Sequence, residues 1–132
     1  AISVAIEHKA ERVEMIRQNM VNLGAEKMVV VEGRAPGVLE DLPQPDAIFI
    51  GGGLTCEGLF DAAWAALRPG GRLVANVVTL ESEGRLFELH QKFGGELVRL
   101  SVQKAESVGP YRGWRAAMPV TQWSVTKPGE AA

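Results

Sequence analysis

The chain has 132 residues, the size of one globular domain; 46% of them are hydrophobic and 23% are charged. This composition is typical of a soluble folded domain and excludes the disordered and fibrous classes. Its net charge of -2 offers no bulk attraction for nucleic acid or an anionic membrane. The single cysteine, Cys56, excludes an internal disulfide, and no apolar run approaches the roughly 20 residues that span a bilayer. We therefore expect a cytoplasmic protein without a bound metal.

Hydrophobic periodicity predicts strands that alternate with helices. The predicted strands are 2–6, 28–31, 46–50 and 72–78, and the predicted helices are 10–23, 36–42, 57–67 and 81–93. Two longer strands are predicted over 96–104 and 116–127, joined by a loop rich in glycine, proline and arginine. The alternation indicates a mostly parallel α/β sheet, and the last two strands indicate an antiparallel hairpin at one sheet edge. One domain over 1–127 and a disordered tail over 128–132 are expected.

Ligands of open α/β sheets bind at the carboxyl ends of the strands, so the residues that follow each predicted strand are candidates for a site. Glu7 follows the first strand, where a carboxylate accepts hydrogen bonds from two ribose hydroxyls, or is simply a solvated acid at a helix start. Gly51, Gly52 and Gly53 follow the third strand and leave room for a ligand to pass over its end. A plain tight turn has the same glycine pattern, and both interpretations stay open.

A longer sequence tract, between the third and fourth predicted strands, indicates a fold family more specifically than these single residues do. Residues 67–73, L-R-P-G-G-R-L, stop a helix and turn directly into a strand. With this tract the chain resembles the class I S-adenosylmethionine-dependent methyltransferases, in which a proline and two glycines precede the fifth strand and an antiparallel hairpin ends a Rossmann-like sheet. The tracts V-E-G-R-A-P (31–36), F-I-G-G-G (49–53), A-N-V-V-T-L-E (75–81) and R-G-W (112–114) are similar to those of the decarboxylating precorrin-6Y C(5,15)-methyltransferase family of cobalamin biosynthesis.

This resemblance implies methyl transfer from S-adenosylmethionine to a precorrin, a tetrapyrrole, coupled to decarboxylation of an acetate side chain. It also implies a homotetramer, and a first strand with a glycine-rich cofactor loop that we expect upstream of Ala1. Two alternatives stay open: a class I methyltransferase acting on another substrate such as tRNA, and a non-catalytic Rossmann-like nucleotide-binding domain. The net charge of -2 weighs against RNA.

Cofactor residues follow from the resemblance. Glu7 would take the ribose hydroxyls, and His8 would border the adenine or be exposed. Arg34 stands where related methyltransferases often carry an aspartate, so the backbone of Ala35 is the expected adenine contact. The full implied set of cofactor-binding residues is Glu7, His8, Gly33, Arg34, Ala35, Gly51 and Gly52.

For the substrate, the resemblance implies Gly53, Asn76, Arg112 and Arg115, because a substrate rich in carboxylates favours arginine. Arg115 also reads as a solvated loop residue. Thr79 and Glu81 are implied for the decarboxylation step, or serve the next helix as its N-cap and an acid of its first turn. Methyl transfer is an in-line displacement that depends on orientation and exclusion of water, so no covalent nucleophile is predicted.

Overall fold

The computed structural model describes residues 3–7, 28–32, 44–52, 54, 55 and 57–129. The predicted helices over 10–23 and 36–42 lie outside the described residues. The strands are β1 Ser3–Glu7, β2 Met28–Glu32, β3 Ala47–Ile50, β4 Arg72–Val77, β5 Glu96–Leu100, β6 Gln103–Val108, β7 Tyr111–Ala116 and β8 Val120–Thr126, and the described helices are α1 Leu59–Ala66 and α2 Leu80–Phe93.

Six of the strands form one sheet in the order β2-β1-β3-β4-β8-β5. The first four strands pair in parallel, and β8 runs antiparallel to both β4 and β5. The predicted α/β architecture, a mostly parallel sheet with an antiparallel C-terminal addition, is therefore confirmed. The last strand enters the sheet between β4 and β5, so β5 runs in the same direction as the four parallel strands.

The predicted antiparallel pair at the sheet edge is confirmed by β5 and β8, but the predicted bounds of these strands and the loop between them are wrong. β5 ends at Leu100, and β6 and β7 pair with each other in a separate two-stranded sheet. Gly109 has φ 59° and begins the two-residue turn that joins them. Glycine in this position favours a tight hairpin, so the glycine and proline that predicted a loop in fact connect two strands. After β8, residues 128 and 129 have no regular structure, and residues 130–132 lie outside the described part.

The helices α1 and α2 pack against an apolar face of the sheet. In β4 the buried residues Leu73, Ala75 and Val77 alternate with more exposed ones, as a strand covered on one face requires. The ring of Phe60 in α1 lies 5.4 Å from that of Phe93 in α2 and 5.8 Å from that of Trp123 in β8, measured between centroids. The buried core comprises Ile48, Ile50, Leu54, Leu59, Phe60, Ala63, Leu67, Leu73, Ala75, Val77, Leu86, Leu89, Trp123 and Val125.

The L-R-P-G-G-R-L tract joins α1, β3 and β4 at the amino ends of the parallel strands. The backbone N–H of Arg72 donates to the carbonyl oxygen of Asp46 at 3.0 Å. Gly71 is buried so closely that a Cβ there would lie 2.7 Å from the same oxygen of Asp46 and 2.8 Å from the carbonyl oxygen of Arg68. The tract is therefore a packing junction, at the end of the sheet away from the strand carboxyl ends.

Candidate functional site

The carboxyl ends of the parallel strands form one continuous edge, called here the carboxyl edge. Glu7 pairs with Glu32 at the ends of β1 and β2, and Ile6 pairs with Ile50 at the end of β3. Because all four parallel strands run in one direction, the end of β4 at Val77 lies at this edge too. Ligands of open α/β sheets bind at such an edge, which makes it the candidate site.

Part of the predicted cofactor set lies at this edge. Glu7 is the last residue of β1, between β2 and β3. Gly51 and Gly52 directly follow β3, the neighbouring strand, and are half-buried. The structure thus brings the backbones of these three residues to adjacent strand ends. The predicted residues His8, Gly33, Arg34, Ala35 and Gly53 lie outside the described residues.

Thr79 and Glu81 follow β4 at the same edge. Thr79 is the N-cap of α2: its Oγ1 accepts a hydrogen bond from the backbone N–H of Ser82 at 3.1 Å. Glu81 is exposed in the first turn of α2, where the positive end of the helix dipole favours an acid. The structure therefore shows both residues in their helix-start roles, and their part in catalysis stays a prediction.

Asn76 has a partner within the sheet. Its Oδ1 accepts a hydrogen bond at 3.0 Å from Nε2 of Gln122, the residue directly opposite on β8. Asn76 alternates with the buried residues Ala75 and Val77, so its half-buried side chain lies on the sheet face away from α1 and α2. The amide oxygen is thus used within the sheet, and a contact of Asn76 with substrate stays a prediction.

Three side chains that no sequence pattern indicated form a network at the carboxyl edge: Glu83 of α2, Arg99 of β5 and Thr121 of β8. Glu83 Oε2 accepts hydrogen bonds at 2.6 Å from both Thr121 Oγ1 and Arg99 Nη2. Arg99 Nε also donates to Thr121 Oγ1 at 3.1 Å. These residues, here called the edge network, lie 16 to 38 positions apart in the chain, so no local motif could have signalled them.

The electrostatics of the edge network favour an ionised carboxylate. Thr121 is buried, and the side chain of Glu83 is only 14% exposed. The hydrogen bond from the Thr121 hydroxyl, followed by that from the Arg99 guanidinium, holds the pKa of Glu83 below its ordinary value. Glu83 is therefore a charged acceptor fixed by two donors, placed one turn into the helix that begins at the carboxyl edge.

The β6–β7 hairpin also leaves the sheet at the carboxyl edge. Leu100 at the end of β5 pairs with Val120 at the start of β8, and the next residue of β8, Thr121, pairs with Val77 at the end of β4. Residues 101–119, inserted between β5 and β8, therefore start and finish at this edge. The predicted substrate residues Arg112 and Arg115 lie on this insertion.

The two arginines differ in the contacts that their side chains make. Both are exposed on β7, and Arg115 Nε donates to Glu106 Oε2 on β6 at 2.5 Å. No described carboxylate forms an ion pair with Arg112. A shallow pocket of about 370 Å³ on the hairpin is lined by Glu106, Ser107, Val108, Gly113, Trp114, Arg115 and Ala116. Arg112 thus has the less engaged guanidinium, while Arg115 is tied to the hairpin itself.

Two further features are absent from the part of the chain that the structure describes. No cluster of three or more histidine, cysteine, aspartate or glutamate side chains within that part is placed to hold a metal ion. Neither α1 nor α2 has the length and apolar character needed to cross a membrane.

The sequence profile of the precorrin methyltransferase domain matches residues 1–127. The chain belongs to this family. A precorrin-6Y C(5,15)-methyltransferase (decarboxylating) from Sinorhizobium sp is 49% identical over 125 residues, which are 95% of this chain and 30% of the relative. The chain thus spans about a third of the length of that relative. The resemblance that the sequence tracts indicated is confirmed.

Similar solved structures support the assignment to the precorrin methyltransferase family. The C-terminal domain of precorrin-6Y C5,15-methyltransferase from Rhodobacter capsulatus matches with a TM-score of 0.74 and 46% identity, over 96% of this chain and 68% of that one. A SAM-dependent O-methyltransferase from Thermotoga maritima matches with a TM-score of 0.58 at 18% identity, over 100% of this chain and 52% of that one. This second likeness concerns the fold alone and confirms the class I methyltransferase architecture.

Proposed function

We propose that the protein containing this chain transfers a methyl group from S-adenosylmethionine to a carbon of a precorrin and that this domain takes part in the coupled decarboxylation of an acetate side chain, within cobalamin biosynthesis. The 49% identity to a precorrin-6Y C(5,15)-methyltransferase (decarboxylating) is the observation that carries the proposal. The carboxyl edge supports it, since it combines a strand-end acid, half-buried glycines and a basic hairpin at the position where this fold class binds ligands.

The described residues suit the proposed cofactor. Glu7 provides a carboxylate at the end of β1, and an acid in this position accepts hydrogen bonds from a ribose diol. Gly51 and Gly52 have no side chains, so a ligand can approach the backbone at the neighbouring strand end. When bound, S-adenosylmethionine supplies a methyl group on a sulfonium. In our proposal His8, Gly33, Arg34 and Ala35 complete the cofactor site.

Binding of the precorrin is assigned to the hairpin and the end of β4. Arg112 is the leading candidate for a substrate carboxylate, because its guanidinium has no ion pair with a described residue and planar arginine forks match carboxylates. Arg115 would need to exchange its contact with Glu106 for one with substrate. Gly53 and Asn76 complete the proposed substrate set.

Catalysis, in this proposal, depends on holding the methyl donor and the ring carbon in line and on excluding water. Decarboxylation then sends an electron pair into the macrocycle, which a nearby hydrogen-bond donor or acid assists. Thr79 and Glu81 are the proposed residues for this step. Thr79 would act with its hydroxyl group while it keeps the N-cap contact to Ser82.

We further propose a cytoplasmic homotetramer that binds no nucleic acid and no membrane, with a methyltransferase domain over 1–127 and a disordered tail over 128–132. The hairpin supports assembly, because an isolated two-stranded hairpin is marginally stable in water. Tyr111 and Trp114 on β7 are 77% and 75% exposed, which leaves apolar area for a second copy to cover. Light scattering that gives a monomer for the full-length natural protein would refute the tetramer.

The test of function is calorimetry of the full-length natural protein with S-adenosylhomocysteine, followed by turnover of a precorrin. Replacing Glu7 by alanine should weaken binding by about 1 to 3 kcal/mol, the scale for hydrogen bonds to a charged group. Glu88→Ala is the matched control, because Glu88 is an exposed acid on α2. Absence of binding by the native protein contradicts any methyltransferase function. Binding without turnover of the precorrin favours a different substrate.

A further inference from the structure

The edge network connects three elements at the carboxyl edge. The backbone N–H of Glu83 donates to the carbonyl oxygen of Thr79 at 2.9 Å, which closes the first turn of α2. The side chain of Glu83 reaches in the other direction, to Thr121 on β8 and Arg99 on β5. One residue therefore fixes the turn after β4 to β8, which neighbours β4, and to β5, the next strand of the sheet.

The geometry of Glu83 differs from that of an ordinary surface ion pair. On the same helix, Arg85 and Glu88 form a pair at 3.6 Å with both side chains in the solvent, and such exposed pairs contribute little. Glu83 instead accepts two short hydrogen bonds onto one oxygen, and one of its donors, Thr121, is buried. Short charge-assisted hydrogen bonds fix geometry as well as adding stability.

The segment held by this contact faces the site. Thr121 pairs with Val77, so the edge network lies beside the last residue of β4. Val78 and Leu80, which follow directly, are 45% and 80% exposed. Two apolar side chains displayed at a ligand-binding edge suit the flat, largely apolar face of a macrocycle better than they suit water.

We propose that Glu83, held by Arg99 and Thr121, is a positioning residue that fixes the turn 78–80 so that Val78 and Leu80 present an apolar surface to the tetrapyrrole. This inference rests on the proposed function, and it adds a specificity element to it. The carboxylate itself touches no reacting atom. Its effect passes through the turn, so loss of Glu83 should change substrate binding and leave the cofactor site at β1 and β3 intact.

The experiment uses the full-length natural protein and its Glu83→Gln and Thr121→Val variants, with Thr121→Ser and Glu88→Gln as controls. Glu83→Gln and Thr121→Val should raise KM for the precorrin about tenfold, the change expected if about one molecule in ten then holds the turn in the arrangement that binds substrate. Affinity for S-adenosylhomocysteine should remain within about twofold of native. Thr121→Ser, which keeps the hydroxyl, and Glu88→Gln, on the same helix, should behave as native.

Amide hydrogen exchange provides a readout that is independent of turnover. In Glu83→Gln the exchange rates of the Ser82 and Glu83 amides should rise by a larger factor than those of β4, whose protection falls only with the global stability. A rise of equal factor throughout β4 overturns the inference, because the role is then one of global stability alone. Should Glu83→Gln fail to fold, Arg99→Gln on the exposed strand β5 must give the same rise in KM.

The two proposals fail in different ways. A native protein that neither binds S-adenosylhomocysteine nor methylates a precorrin overturns the proposed function and with it the assignment of the turn to a tetrapyrrole. An active native protein whose Glu83→Gln variant keeps its KM for the precorrin and its amide exchange overturns the inference alone.

Discussion

Replacing Gly71 by alanine tests whether the L-R-P-G-G-R-L tract acts through close packing. A Cβ at Gly71 would meet the carbonyl oxygens of Asp46 and Arg68 at 2.7 and 2.8 Å and a methyl group of Leu67 at 2.7 Å. The methyl group can rotate away, whereas the two oxygens belong to the backbone. Both are also held by hydrogen bonds, from the N–H of Arg72 at 3.0 Å and from that of Gly71 at 2.8 Å. Relief of the clash therefore strains or breaks one of these bonds.

The expected cost follows from these contacts. Overpacking a buried site costs about 1 to 3 kcal/mol, and a weakened backbone hydrogen bond adds about 1 kcal/mol. We therefore expect Gly71→Ala to lower the free energy of unfolding by about 2 to 4 kcal/mol. The neighbouring Gly70 is the matched control: its φ is +82°, and a Cβ added there would have no atom within 4 Å. Gly70→Ala should cost only the left-handed backbone penalty of about 1 to 2 kcal/mol.

Urea unfolding followed by tryptophan fluorescence measures both values, since Trp123 is buried in the core beside Phe60. The midpoint should fall further for Gly71→Ala than for Gly70→Ala at an unchanged slope. If Gly70→Ala is as destabilising as Gly71→Ala, or more so, the packing explanation is refuted and the tract acts through its backbone angles.

Three further predictions concern the helices. Because its hydrogen bonds lower the pKa of Glu83 from 4.5, Glu83 contributes stability that is present above this value and lost as the pH falls through the folded pKa. Glu83→Gln should thus lower the urea midpoint at about pH 7, and a difference of equal size at about pH 3 contradicts the reasoning. Lys127 Nζ donates to the carbonyl oxygens of Trp64 and Leu67 at the end of α1, so Lys127→Met should cost about 1.5 to 3 kcal/mol in the same assay. Gly84 is exposed within α2 with open space at its Cβ position, so Gly84→Ala should stabilise by about 0.5 to 1 kcal/mol, and a loss of stability contradicts the assignment of open space.

The sequence predicted the sheet well where one face of a strand is buried. The alternation in β4 and the apolar spacing in α2 were visible in the sequence because packing one face against a core makes the apolar residues recur periodically. Helix ends were less well predicted: α1 begins at Leu59 and not at residue 57, because Gly58 at φ 80° lies outside the helix as its N-cap. Hydrophobic periodicity does not indicate which glycine adopts a left-handed conformation, so it could not predict this helix start.

The hairpin could not be predicted by the same reasoning. Nearly all of its residues are exposed on both faces, so β6 and β7 lack the polar and apolar alternation that distinguishes a strand from a loop. Its one local signal, Gly109 followed by a proline, is shared by tight hairpin turns and by irregular loops. A strand that is not buried within its own chain carries no alternation of polar and apolar residues from which it could be predicted.

The residues of the candidate site also differ in how far the sequence could predict them. Glu7 and the glycines after β3 were predicted because a strand end is a position that the sequence order defines. The edge network was missed because Glu83, Arg99 and Thr121 come together only through the insertion of β8 between β4 and β5. That insertion also makes β5 parallel to β4, so both ends of the β6–β7 hairpin lie at the carboxyl edge. The antiparallel strand β8 thus brings the edge network to the candidate site. It also places both ends of the basic hairpin at the same edge. This shared edge is the reason why we propose that Arg112 and Glu83 act on one substrate, Arg112 by binding it and Glu83 by positioning the turn after β4.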